Sequence, residues 1–167
     1  RDGFALFSAS QTSLGNPVIT QSNVTTNLSA TENNLMTVIT SIQTQRDDRG
    51  AQLRNPSKYT VVSGPALETK FWQILNTEKQ VDSAANTKNR VYSMKSSINQ
   101  VCWKELGASY TGWFVLAEGH QVNFKWRKKP TFDKESDLST HSLRYGMTMR
   151  GVAFHESWRK TAASIPA

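Results

Sequence analysis

Histidine, cysteine and paired carboxylates are the residues of this 167-residue chain that could support catalysis or metal binding. The three histidines are widely spaced and form no HxxxH or HExxH pattern, so we expect turn or strand residues at His120, His141 and His155. Cys102 is the only cysteine, which excludes an internal disulfide and a cysteine-rich zinc site. A lone cysteine in an apolar strand is usually a small core residue, and a nucleophilic Cys102 is the lesser alternative.

A second candidate is the segment in which two aspartates lie between two arginines, namely Arg46, Asp47, Asp48 and Arg49. Adjacent carboxylates can bind a metal or act in acid–base chemistry. Because arginines flank them at a predicted helix end, we expect a salt-bridge cluster instead, either solvated or at a contact between subunits. The sequence also has no glycine-rich phosphate-binding loop and no nucleophile elbow. We therefore predict no enzymatic activity, no metal and no cofactor.

Positive charge is the third feature, since the chain has 20 Lys and Arg, 13 Asp and Glu, and a net charge of +7. It is concentrated around Trp126, in a basic patch formed by Lys125, Arg127, Lys128 and Lys129. Such a patch favours a polyanionic neighbour, commonly nucleic acid, and the interleaved aromatics could stack on bases. A solvated face is the alternative. The sequence has no run of about 18 apolar residues, so we predict no membrane span.

The first half of the chain predicts a helix, a strand and a second helix. The helix is expected over residues 30–45, with a capping box formed by Ser29 and Glu32 and with Gly50 and its neighbouring arginines as the stop. Its apolar stripe comprises Leu35, Val38, Ile39 and Ile42. A buried strand is expected over residues 59–62 and a helix starting at Pro65 over residues 65–76. One core should join Phe71, Ile74 and Leu75 to Val61, Val62, Leu35 and Ile39.

Elsewhere we predict strands and polar connections. Residues 2–7 suggest a strand and residues 77–90 a surface loop. Residues 8–27 suggest an ordered polar loop or extended arm lying on a neighbour, with a flexible linker as the alternative. After residue 91 the apolar period changes to two, which predicts strands over residues 91–94, 98–103, 112–117, 122–126 and 143–149. Gly119 and His120 suggest a tight hairpin, and Pro130 should end the strand before an exposed loop over residues 132–137. Residues 154–167 are expected to form a tail.

Several of these segments, in this order, resemble tailed-phage major capsid proteins of the Mu-like major head subunit branch. Residues 2–8 and the helix ending in residues 46–50 fit that family's order of elements. Residues 58–68, KYTVVSGPALE, match its strand-to-helix junction K/D-L-L-V-V-P-P-x-L-E, except that Ser63 stands where the family often has proline. Residues 73–76, QILN, match its helix end I-L-N-S, and residues 112–116, 144–146 and 158–159 follow in the expected places.

The resemblance implies an α+β chain with the tailed-phage/herpesvirus-type capsid fold. Residues 1–28 would be the opening strand and polar arm, residues 29–111 the axial-domain α/β kernel, and residues 112–167 the strands that return to the peripheral domain and the tail. The family's N-terminal arm, extended hairpin loop and long spine helix precede this region. The chain is thus expected to be the C-terminal portion of a longer subunit.

The function that the resemblance implies is that of a structural coat protein. Copies of the chain would assemble as pentamers and hexamers into an icosahedral head shell around double-stranded DNA, bound without sequence preference, with decoration, portal or scaffold proteins as further partners. Assembly would occur in the host cytoplasm, the final location would be the virion, and no membrane would be involved. Residues 46–49 would lie at a subunit interface, and the basic patch would face DNA or a neighbouring subunit. The alternative is a small basic nucleic-acid-binding module.

Overall fold

The computed structural model describes residues 5–12, 18–80, 87–137 and 139–166, and its mixture of helices and sheets confirms the predicted α+β class. The helices of the described residues are α1 (Glu32–Gln43), α2 (Pro65–Asn76) and α3 (Arg90–Ser93), with 3₁₀ turns at Lys95–Ser97 and Lys104–Leu106. The strands are β1 (Gln11–Thr12), β2 (Thr20–Gln21), β3 (Val24–Thr26), β4 (Tyr59–Ser63), β5 (Ile98–Cys102), β6 (Trp113–Ala117), β7 (Val122–Asp137), β8 (Ser142–His155) and β9 (Thr161–Ile165).

The chain divides into two compact units. Residues 1–121 and 157–167 form the first unit, and residues 122–156 form the second. The first contains a five-stranded sheet, and the second is the two-stranded hairpin of β7 and β8. Both boundaries predicted from the sequence, after residues 28 and 111, fall within the first unit. None of the described helices is long and apolar enough to cross a membrane.

The five-stranded sheet has the order β3, β9, β6, β4, β5. Strand β4 pairs in parallel with β5 and antiparallel with β6, whereas β9 is antiparallel to β6 and parallel to β3. Val61 lies opposite Val115, which in turn lies opposite Ala162, so these three side chains share one face. That face is buried with side chains of α1 and α2 in a single core. As predicted, most strands of this sheet come after residue 91.

The apolar stripe of α1 is confirmed, but both predicted ends are wrong. Leu35, Val38, Ile39 and Ile42 are all buried. The N-cap is Thr31, whose hydroxyl accepts the amide of Asn34, and not Ser29. The carboxylate of Glu32 instead accepts the amide of Arg90, which lies far along the chain. The helix ends at Gln43, several residues before Gly50, whose φ of +82° serves the following turn instead.

Helix α2 and strand β4 agree with the sequence prediction. The helix spans Pro65–Asn76 with proline in its first turn, and it buries Phe71, Ile74 and Leu75. The predicted core is confirmed for these residues with Val61, Leu35 and Ile39. Val62 is the exception, because its side chain points to the other face of the sheet, where it is half-buried.

The predicted C-terminal tail is wrong, because it contains β9, which lies between β3 and β6 in the sheet. The side chains of β9 are small, and Thr161, Ala162, Ala163 and Ser164 are all buried. Trp113 lies opposite Ser164 on the adjacent strand, so a small residue faces the largest side chain of the core. A strand of small residues shows no apolar alternation, which explains why the sequence pattern gave no strand here.

Three further predictions need correction. Residues 91–94 belong mainly to α3 and not to a strand, because Asn89 caps a helical turn through the amide of Tyr92. Residues 5–7 are not in a strand, and the rest of the predicted strand at 2–7 lies outside the described residues. The polar stretch at 8–27 is not only a loop, since it contributes β1, β2 and β3. Of the predicted loop at 77–90, residues 81–86 lie outside the described residues, while Lys79 and Lys88 form an isolated bridge.

A buried polar network joins the N-terminal segment to β9. Asn23, only 2% exposed, donates from Nδ2 to the Leu6 carbonyl at 2.7 Å and to the Thr161 hydroxyl at 3.2 Å. Its Oδ1 accepts the amide of Ser8 at 3.0 Å. Buried Gln45, just after α1, donates to the Thr161 carbonyl at 3.1 Å and accepts the Lys160 amide at 2.6 Å. Through the side chains of Asn23 and Gln45, the segment at residues 6–8, the segment around residue 23 and the end of α1 are all hydrogen-bonded to the start of β9.

Candidate interaction surface

The β7–β8 hairpin contains most of the large apolar side chains that are exposed in the described residues. Its strands pair antiparallel from Val122 opposite His155 to Asp137 opposite Ser142, with register shifts between Trp126 and Thr131. The predicted strand end at Pro130 is therefore wrong, as is the predicted loop at 132–137. Pro130 lies within the second register shift, where the missing amide of a proline costs no ladder hydrogen bond.

The turn of the hairpin is fixed by local hydrogen bonds. Asp137 Oδ1 accepts the Ser139 amide at 3.0 Å and the Ser139 hydroxyl at 2.6 Å. These hydrogen bonds to the charged form lower the pKa of the Asp137 carboxyl. His141 takes a left-handed conformation with φ of +49°. The carboxylate of Asp137 also lies 3.7 Å from the Arg144 guanidinium.

The predicted tight hairpin at Gly119 and His120 is wrong, because that turn joins β6 to β7, which do not pair.

One face of the hairpin is mostly apolar. Side chains directly opposite each other in the register share a face, and alternate residues along each strand return to it. The large apolar residues on this face, which we call the apolar face, are Phe124, Trp126, Phe132, Leu143, Tyr145, Met147 and Met149, and near the turn the same face also contains Lys134 and Ser136. All seven side chains are exposed, including Phe132 at 81% and Tyr145 at 69%.

Contacts within the apolar face support this assignment. The rings of Phe124 and Trp126 meet edge to face with centroids 4.9 Å apart. The Phe124 ring also lies over Gly151, where any side chain would collide with it. Near the turn, the Lys134 ammonium lies 5.9 Å from the centre of the Tyr145 ring. These contacts order the side chains and leave their outer surfaces exposed.

The opposite face is mostly polar, with Val152 as an exposed apolar residue, and it includes part of the predicted basic patch. Lys125 lies on this face, with its ammonium 5.2 Å from the centre of the Phe154 ring. Lys128 donates to the Thr148 hydroxyl at 2.6 Å, and Thr148 is also within 3.0 Å of Thr131. Arg127 and Lys129 fall in the two register shifts. The four basic side chains predicted from the sequence are all exposed within the hairpin.

The predicted cluster at residues 46–49 forms a turn that is tied to the C-terminal segment. Asp47 Oδ1 accepts the amides of Arg49 and Ala51, both at 2.8 Å. Asp48 instead pairs with Arg159, whose Nη2 lies 2.6 Å from Oδ1. The two carboxylates thus act separately, one as a turn-forming acceptor and one in an ion pair. The side chains of Arg46 and Arg49 remain exposed.

Cys102 is half-buried on the edge strand β5, so the prediction of a core residue is wrong. It lines a shallow depression with Glu68, Trp72 and Gln100. Partial burial raises the pKa of the Cys102 thiol, and the hydrogen bond and negative charge of Glu68 raise it further. A raised pKa disfavours the thiolate, which is the nucleophilic form.

The rate of alkylation of Cys102 tests whether the pKa of its thiol is raised and whether Glu68 contributes. At pH 8 we expect iodoacetamide to modify Cys102 more slowly than an unstructured cysteine, because a higher pKa leaves less thiolate at that pH. The rate should still be rising above pH 9, as measured by mass spectrometry of timed samples. Glu68→Gln should lower the pKa and speed the reaction at pH 8, whereas Glu78→Gln on the surface should not. Equal rates for the Glu68→Gln variant and the unmodified sequence would contradict the role of Glu68.

The histidines lie in turns or on a strand, as predicted. His120 follows the β6 turn, His141 lies in the hairpin turn and His155 ends β8. Among the described residues, no group of three or more His, Cys, Asp or Glu side chains could hold a metal ion.

A comparison with protein-family models finds no match for this chain, and neither does a comparison with curated proteins.

The apolar face contains residues that the sequence interpretation did not assign to any site. The sequence predicts Leu143, Tyr145, Met147 and Met149 only as alternating strand residues, and Phe132 falls in a predicted loop. The signal that could have identified the face was the alternation itself. In β8 it places large apolar residues against Arg144, Gly146, Thr148 and Arg150, which is the pattern of a strand with one covered face.

Proposed function

We propose that this chain is a structural coat subunit that assembles with copies of itself into an icosahedral phage head around double-stranded DNA. The apolar face of the hairpin is the observation that supports the proposal most strongly. Contiguous exposed apolar patches of this kind mark protein–protein contacts. A subunit whose role is assembly presents such surfaces, and the proposal assigns no catalytic role to any residue.

The order of the segments that carry the capsid resemblance adds support. Residues 58–68 form a strand-to-helix junction, since β4 ends at Ser63 and α2 begins at Pro65. Residues 73–76 end α2. The proposal extends the resemblance to the capsid fold, with residues 29–111 in the axial domain and residues 112–167 returning to the peripheral domain. It also places the protein in the virion.

Electron microscopy of the purified chain tests this function directly. We expect closed shells, or the pentamers and hexamers from which shells are built, in negatively stained samples. Sedimentation should show the same species in solution. A chain that stays monomeric at tens of micromolar and forms no particles would overturn the proposal.

The exposed arginines of the cluster at residues 46–49 provide a more specific test. Complementary charges fix the register between identical subunits, so the Arg46→Glu, Arg49→Glu double variant should lower particle yield. Its fold should be nearly unaffected, because exposed charges contribute only about 0–1 kcal/mol. Particle yield and the unfolding midpoint of the unassembled subunit are the measurements. The charge-matched control is the Arg54→Glu, Lys104→Glu variant, whose sites are also exposed. Normal yield from the first variant would remove the interface assignment.

The basic patch favours a second candidate, a small nucleic-acid-binding module. Its four cations are exposed in one short stretch of β7, which is an arrangement suited to phosphates. Recognition would be independent of base sequence, because phosphate contacts position a protein without specifying bases. Strong, salt-dependent DNA binding by a chain that never assembles would favour this candidate. DNA binding that is measured only for assembled particles would instead indicate that the basic patch lines the inside of a shell.

A further inference from the structure

The apolar face belongs to a sheet of only two strands. An isolated two-stranded hairpin is marginally stable in water, and a long ribbon needs a partner on its apolar side. Within the hairpin, the aromatic contacts of Phe124 and Trp126 cover only a small part of this surface, and Trp126 remains 45% exposed. Something outside the hairpin should therefore cover the face.

The size of the apolar face fits a second copy of the same hairpin. Seven side chains that each expose about half of a large side chain's surface leave on the order of 700 Å² of apolar area. Two such faces packed together would bury on the order of 1,400 Å² in total, which falls within the range of stable protein interfaces, about 1,200–2,000 Å². An apolar strip is also complementary to itself, as a two-fold interface requires.

The distribution of charge along the hairpin favours one relative orientation of the two copies, although residues such as Lys125, Lys128 and Arg150 lie on the polar face and act only across both packed sheets. The half away from the turn has five positive charges, on Lys125, Arg127, Lys128, Lys129 and Arg150. The half near the turn has three negative and two positive charges, on Asp133, Glu135, Asp137, Lys134 and Arg144. Parallel stacking would place five positive charges beside five others. Antiparallel stacking places each basic half beside the half that contains the acidic groups.

We propose that the apolar faces of two copies pack against each other, antiparallel, about a two-fold axis that passes near Met149. This inference rests on the proposed self-assembly and identifies one of the contacts that such assembly would use. Met149 lies midway along β8, between Leu143 near the turn and Ala153, which is opposite Phe124 at the other end of the apolar face. In the dimer the two Met149 residues face each other, whereas the two Leu143 residues lie at opposite ends.

Site-specific cross-linking of the full chain tests this geometry in a Cys102→Ser background. Packed sheets lie about 10 Å apart, so a bis-maleimide of that span should join two Met149→Cys chains. Leu143→Cys chains should not be joined. Six residues at about 3.3 Å each separate Leu143 from the axis, which puts the pair about 40 Å apart. Cross-linking at both positions, or at neither, would overturn the proposal.

A charge placed on either face provides the second test. Met147→Lys buries a positive charge in the apolar contact near the axis, so the dimer Kd should rise tenfold or more in sedimentation experiments. Thr148→Lys adds the same charge to the polar face at the next residue and should leave the Kd unchanged. Circular dichroism of each variant checks that the sheet and helices are retained. Equal effects of the two substitutions would overturn the proposal, as would a monomer that binds lipid vesicles or nucleic acid through Trp126.

The experiments distinguish a failure of the proposed coat function from a failure of the proposed hairpin dimer. Shells that form without cross-linking at Met149→Cys would leave the coat function standing and remove the hairpin dimer. Cross-linked dimers that never form shells would leave the hairpin interface standing and remove the coat function.

Discussion

Replacing Trp113 by alanine is expected to lower the free energy of unfolding by about 3–5 kcal/mol. The Trp113 side chain is completely buried at the centre of the sheet in β6. Its ring meets Phe71 of α2 edge to face with centroids 5.4 Å apart. Its indole Nε1 donates to the Leu28 carbonyl at 3.0 Å, just before α1. Removing the ring leaves a cavity where the sheet, α2 and the segment before α1 meet.

Two further tryptophan variants separate the effect of the lost ring on stability from the effect of the lost indole hydrogen bond. Trp113→Phe keeps an aromatic ring and loses the indole donor, so it should cost less than Trp113→Ala. The Leu28 carbonyl would still accept the Ser164 hydroxyl at 3.2 Å, which limits the penalty of the lost hydrogen bond. Trp72→Ala is the control, because Trp72 lies on α2 and is 60% exposed. Urea unfolding provides the comparison. An equal loss at Trp72 and Trp113 would contradict the assignment of Trp113 to the core.

The parts of the fold that could be predicted are those in which burial follows a regular period. Helix α2 has one buried side and a proline in its first turn, so both its phase and its start could be inferred. The ends of α1 depended on a choice between similar residues. Ser29 and Thr31 are both good N-caps, and the long-range bond of Glu32 to Arg90 decided between them only in the folded chain.

Strand β9 and the half of β7 near the turn were not predicted, for opposite reasons. Strand β9 consists of small side chains that are buried on both faces, so it lacks the alternation that identifies a half-buried strand. The end of β7 around Asp133 and Glu135 is charged and exposed, so its composition resembled that of a loop. Pairing with β8 makes it a strand, and that pairing depends on residues which the local sequence does not contain.

The candidate site also contains features that could be predicted from the sequence and features that could not. The basic patch could be identified because its charges are adjacent in the sequence. The alternation in β8 indicates one strand of the apolar face, but the complete face could not be predicted, because it combines residues of two strands and its register passes through the shifts around Pro130. Asp48 pairs with Arg159, a partner more than a hundred residues away that a local charge pattern cannot indicate. The buried role of Asn23 could not be predicted either, since most residues around it are polar and nothing distinguishes it from them.

Replacing Asn23 by leucine is expected to lower the free energy of unfolding by about 2–4 kcal/mol, although leucine has a similar volume. The change removes one hydrogen bond each from the Leu6 carbonyl, the Ser8 amide and the Thr161 hydroxyl. The Thr161 hydroxyl keeps its bond to the Trp158 carbonyl and the Leu6 carbonyl keeps Gln11, so the expected cost is that of three lost hydrogen bonds at about 0.5–1.5 kcal/mol each.

The matched control for this substitution is Asn99→Leu on the edge strand β5. Asn99 is exposed, so the same chemical change there should alter the free energy of unfolding by no more than about 0.5 kcal/mol. Urea unfolding of both variants measures the difference. A cost at Asn23 as small as that at Asn99 would show that the network does not stabilise the fold. A large difference would establish that one amide side chain holds the N-terminal segment to β9, because its partners come from both ends of the chain.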